Sequence, residues 1–134
     1  MPQSIARFPD FPMKQITIGD TRFRLMCAER DGQWLAHAER EATGDLFGIE
    51  CSGASEADAL ARLTRWLEWQ AEHAAALDAL QRAEHAYHRT IAGSAFASSI
   101  EGPGAIELQK ESLDEVEAAR VRLDDIRARR PEPA

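Results

Sequence analysis

The chain has 134 residues, enough for one domain with an appendage. Hydrophobic residues make up 44% and charged residues 29%, the balance of a chain that buries a core, which excludes a wholly disordered segment. The 23 acids against 16 bases give a formal charge of −7, unsuited to nucleic acid or anionic lipid, and no apolar run approaches the ~18 residues of a membrane span.

Residues 1–13 contain Pro2, Pro9 and Pro12 and show no periodicity, so they read as an extended arm. Either Phe8 and Phe11 pin it to a neighbour or the arm is loose. The arm lacks the charged-then-apolar order of a signal peptide, so the expected location is the cytoplasm of a bacterial-type cell. Cys27 and Cys51 are then reduced thiols packed as small apolar groups.

Residues 14–52 read as four strands. Apolar and polar residues alternate through Ile16 and Ile18, through Phe23, Leu25 and Cys27, through Trp34, Ala36 and Ala38, and through Phe47, Ile49 and Cys51. Two-residue turns at Gly19-Asp20 and Asp31-Gly32 pair Ile16 with Phe23, Cys27 with Ala36 and Leu25 with Ala38. A four-residue loop at 41–44 pairs Arg40 with Asp45, Ala38 with Phe47 and Ala36 with Ile49. All four apolar sets then share one face, and a one-residue slip would scatter them. A three-residue loop at 30–32 is the competing hairpin; the two-residue turn is preferred because it buries Trp34 and leaves alanines where a helix must come close. The opposite face is polar apart from Met26, Leu35 and Leu46, a small apolar patch suited to an oligomer contact.

Ser55 is an N-cap residue with Asp58 three positions on, and nothing breaks a helix from Glu56 to Ala92. Such a helix is ~55 Å long, whereas a seven-residue strand spans ~23 Å. The sheet covers only its first half. The stretch 93–104 reads as a loop broken by Pro103, and a second helical pattern runs from about Ala105 to Arg130, with Ser112 and Glu115 as a possible later start. Its rows are Ile106 with Leu113, Val116 with Leu123, and Ala119 with Ile126. Pro131 ends it, leaving 131–134 as a tail. The two helices fold back as an antiparallel hairpin over 71–130, or pair with a second copy in a four-helix, coiled-coil-like bundle. The first helix would bury Leu77, Leu80, Tyr87 and Ile91 beside Ala71, Ala75, Ala79 or Ala83.

The predicted architecture is therefore α+β: an antiparallel four-stranded meander packed by a long helix that extends into a helical hairpin with a C-terminal helix. A two-helix hairpin buries little by itself, so a homodimer is expected. The candidate contact residues are Leu77, Leu80, Tyr87, Leu113, Val116 and Leu123 on the hairpin, with Met26, Leu35 and Leu46 on the sheet.

No hydrolase, phosphate-loop, dinucleotide or zinc-protease motif occurs. His85 and His88 share a helix face, with Glu84 one turn from His88, which makes this trio the candidate metal site of an alternative, enzymatic reading. A solvated polar stripe explains the same spacing. Trp66 and Trp69, three apart with Arg62 and Arg65 one turn before, are either a partner-binding surface or a cap on the sheet. No cofactor is implied.

The segments Trp34-Leu35-Ala36-His37-Ala38, Gly48 to Leu60 and Trp66-Leu67-Glu68 resemble the HicB-like antitoxin fold over residues 21–69. The resemblance implies an oligomeric interaction domain that masks a small basic partner. It departs from that pattern at Glu41-Ala42-Thr43-Gly44, where a Pro-Gly turn is usual, and in the helical hairpin that follows. The expected function is a non-catalytic, homo-oligomeric protein-interaction module.

Overall fold

A computed structural model describes residues 13–96 and 103–133. The expected arm falls outside them except for Met13, which opens the first strand. The strands are β1 (Met13–Ile18), β2 (Thr21–Arg30), β3 (Gln33–Arg40) and β4 (Leu46–Gly53), in the order β1-β2-β3-β4 and all antiparallel. Two helices follow, α1 (Glu56–Phe96) and α2 (Pro103–Ala128). This is the α+β meander with a long helix and a second helix that the periodicity predicts. No described helix is long and apolar enough to cross a membrane.

The described residues form two compact units, 13–71 with 130–133, and 72–129. In the first, the β1–β2 and β2–β3 registers follow from the turns: Ile16 pairs with Phe23, Cys27 with Ala36 and Leu25 with Ala38. Asp31 and Gly32 both take positive φ (53° and 82°), the twist that suits a two-residue hairpin. Arg40 N–H donates to Asp45 O at 2.9 Å and closes the 41–44 loop.

The β3–β4 register differs from the alternation pattern. Ala38 still pairs with Phe47, but Ala36 pairs with Cys51 and not Ile49, because β4 bulges between these points. The bulge contains Gly48 at φ 84°, and a Cβ there would lie 2.5 Å from Trp66 Cζ3. Only glycine meets both conditions.

Phe23, Leu25, Cys27, Ala36, Ala38 and Cys51 form the sheet side of the core, and Ala59, Leu63, Trp66 and Leu67 the helix side. Ala36 and Ala38 are fully buried, leaving room for α1. Trp34, Phe47 and Ile49 pack at the margin, so Trp34 is only half-buried, contrary to expectation. Asp58 N–H donates to Ser55 Oγ at 3.1 Å, and Asp58 Oδ2 accepts from Ala54 N–H at 3.2 Å, the two halves of a capping arrangement. The tail is part of this unit: Ser52 N–H on the outer edge of β4 donates to Pro133 O at 2.9 Å. The Arg130 guanidinium lies over the Trp69 ring at 5.6 Å.

The second unit is an antiparallel hairpin. Arg127 Nε donates to His73 Nε2 at 3.2 Å, Arg120 pairs with Glu84 at 3.7 Å, and the Thr90 and Ser112 hydroxyls meet at 3.3 Å. The residue numbers in each pair sum to about the same value, as an antiparallel register requires. Both helices run into the expected loop: α1 continues to Phe96 and α2 opens on Pro103, whose missing N–H costs nothing at a first turn. Residues 97–102 of that loop lie outside the described residues. Ser112 is no helix start, since α2 passes through it.

Candidate functional site

The histidine trio is not brought together as a metal site. His85 and His88 are exposed on α1, while Glu84 makes its ion pair with Arg120. Among the described residues no group of three His, Cys, Asp or Glu side chains is placed to hold a metal ion. His85 lies with Gln81, Arg82 and Arg89 along a shallow depression whose described lining belongs to α1 alone.

The thiols are buried and free. Both lie opposite Ala36, on strands either side of it, so about two strand spacings (9–10 Å) separate them. That is too far for a disulfide. Burial pushes both thiols above their usual range, reinforced at Cys27 by the negative Glu56 and opposed at Cys51 by Arg62. They remain protonated packing groups, not nucleophiles.

Trp66 is core and not partner surface: its ring fills the space over Gly48. Trp69 is half-buried, 6.3 Å from Trp66 between ring centroids, and the Arg130 guanidinium lies over its ring. Arg62 is held by Asp58 at 3.5 Å. Arg130, from the far end of the chain, is a partner of Trp69 that helical spacing could not indicate.

On the open face of the sheet, Met26 and Leu35 are half-buried diagonal neighbours, since Met26 pairs with His37 two places along β3. Leu46 lies opposite Glu39 on the edge strand, apart from them, and is 69% exposed. The three do not make one patch.

The hairpin divides the remaining candidates. Leu80, Val116 and Leu123 are buried with Ala76 and Ile126, within the single chain. They hold the hairpin itself and are not free for a second copy, which corrects their assignment to an oligomer contact. Leu77 and Tyr87 are half-buried, Ala76 takes the place expected of Ala75, and Ile91 is exposed.

Beyond this short core the hairpin is uncovered. No described side chain in 81–93 or 104–115 is buried. Those stretches nevertheless carry Ile91, Ile106, Leu108 and Leu113, exposed by 41, 71, 54 and 40%. Periodicity found the rows, but it could not say which row the partner helix would cover. Comparison with protein-family models, with curated proteins and with solved structures gives no match.

Proposed function

We propose that this chain is a non-catalytic protein-interaction module that self-associates through the far half of its helical hairpin. One observation carries the reading: residues 81–93 and 104–115 form two facing helical stretches with no buried side chain among the described residues, yet present Ile91, Ile106, Leu108 and Leu113 to water. Helix pairs of this length depend on packing for their stability. A second pair of helices completes the core, as in a four-helix bundle.

Sedimentation equilibrium over a range of protein concentrations tests this. The wild-type chain should be a dimer, and Ile91→Asp with Leu113→Asp should be a monomer whose tryptophan fluorescence is unchanged, because Trp34, Trp66 and Trp69 all lie in the first unit. A wild-type chain that stays monomeric at high micromolar concentration overturns self-association. If that monomer instead binds a small basic protein stoichiometrically, the antitoxin-like reading of residues 21–69 replaces it.

A further inference from the structure

The uncovered half of the hairpin also carries information about how a second copy would sit. Leu77, Glu84 and Ile91 are spaced by seven residues, so they form one stripe along α1. Ile106, Leu113 and Arg120 form a matching stripe along α2. The two stripes border each other on one broad face of the hairpin, because Glu84 and Arg120 touch at 3.7 Å. The Thr90–Ser112 contact at 3.3 Å sets Ile91 near the level of Leu113, within about two residues' rise, or ~3 Å. At these two levels the stripes match: Ile91 and Leu113 are both apolar, and Glu84 is negative where Arg120 is positive. Both charged side chains are about half exposed, 42% and 49%, so each has room for another partner.

We propose, resting on the self-association above, that two hairpins pack on this face about a two-fold axis parallel to the helices, and that Glu84 and Arg120 pair across the two chains. A two-fold axis in that direction keeps every residue at its own level and exchanges α1 for α2. Each residue then meets, on the second copy, the kind of residue it already lies level with on its own. Ile91 covers Leu113 of the second copy, and Glu84 of each chain faces Arg120 of the other. The face is self-complementary in charge and in apolarity under this operation. A two-fold axis lying across the helices sets α1 against α1 and loses the match of Glu84 with Arg120. A helix from a different protein has no reason to share the pattern.

Charge exchange tests the arrangement. Glu84→Arg leaves two cations on the face and Arg120→Glu leaves two anions. Each variant alone should dimerise about tenfold more weakly than wild type, as two surface-strength attractions become repulsions. Mixed in equal amounts they should form a one-to-one heterodimer of near wild-type strength, read by sedimentation equilibrium with one partner fluorescently labelled. Within each variant chain the internal pair stays like-charged, so this rescue can come only from contacts between chains. If a single variant loses helix by circular dichroism, recovery of helix on mixing is the equivalent readout. The double variant should dimerise like wild type. A dimeric wild type whose two variants dimerise undiminished, or stay apart on mixing, overturns the two-fold arrangement and leaves self-association standing. A wild type that never dimerises removes both.

Discussion

Replacing Gly48 by alanine probes the one point where the sheet departs from its alternating pattern. Two costs add. Gly48 has φ 84°, where an L side chain is strained by roughly 1–2 kcal/mol. The new Cβ would also lie 2.5 Å from Trp66 Cζ3 and 3.2 Å from Cε3 and Cη2, so a ring wedged in the core must shift. Overpacking of this kind costs about 1–3 kcal/mol. Together Gly48→Ala should destabilise the sheet unit by about 2–5 kcal/mol. At a urea slope near 2 kcal/mol/M the midpoint falls by about 1–2.5 M. Tryptophan fluorescence follows this unit alone, since no tryptophan lies in 72–129. The two costs separate in a double-mutant cycle with Trp66→Phe, which removes the benzo ring carrying Cζ3. In that background only the backbone strain remains, about 1–2 kcal/mol, leaving a coupling of about 1–3 kcal/mol. Equal costs of Gly48→Ala in both backgrounds would refute the contact. A cost below about 0.5 kcal/mol in the wild type would refute the bulge itself.

Leu123→Ala should cost about 2–4 kcal/mol in the hairpin, because its side chain is buried within one chain; helicity by circular dichroism checks this, and loss of dimer without loss of helix would contradict it. Ser55→Ala removes the acceptor for Asp58 N–H and should cost about 1 kcal/mol in the denaturation of the sheet unit. Burial holds the Cys27 and Cys51 thiols above the ordinary value of 9.0, so the unfolded chain ionises first as pH rises. Their contribution is whole below that value and declines as pH climbs from it toward the raised folded values. The midpoint of denaturation should fall over that range, and less steeply in Cys27→Ala. Removing residues 131–134 uncovers Ser52 N–H, whose amide should then exchange with deuterium faster while Leu25 stays protected.

Much of the architecture is written in local pattern. Strand alternation with Asp31-Gly32 and Gly19-Asp20 leaves a single register that puts Phe23, Leu25, Cys27, Ala36 and Ala38 on one face, because a slip of one residue inverts all of them together. Ser55 and Asp58 mark the start of α1 for an equally local reason: their hydrogen bonds close within four residues. The heptad rows of α2 and the antiparallel hairpin follow from spacing as well. Of the candidate contact residues, Leu113 was legible as one row among three equivalent ones.

What periodicity cannot show is which of several apolar rows a neighbour covers. Val116, Leu123 and Ile126 are buried while Ile106 and Leu113 of the adjoining row are left in water, a choice made by the rotation of one helix against another. The bulge at Gly48 depends on an indole eighteen residues away, and alternation along β4 contains no trace of it. Arg130 reaches Trp69 and Pro133 closes the edge at Ser52 for the same reason. The sequence by itself determined the elements, their order and the registers of β1–β2 and β2–β3, since these rest on neighbours in the chain. Only the tertiary structure decided which apolar surface is spent inside the chain and which stays exposed, because burial belongs to pairs of elements brought together in space.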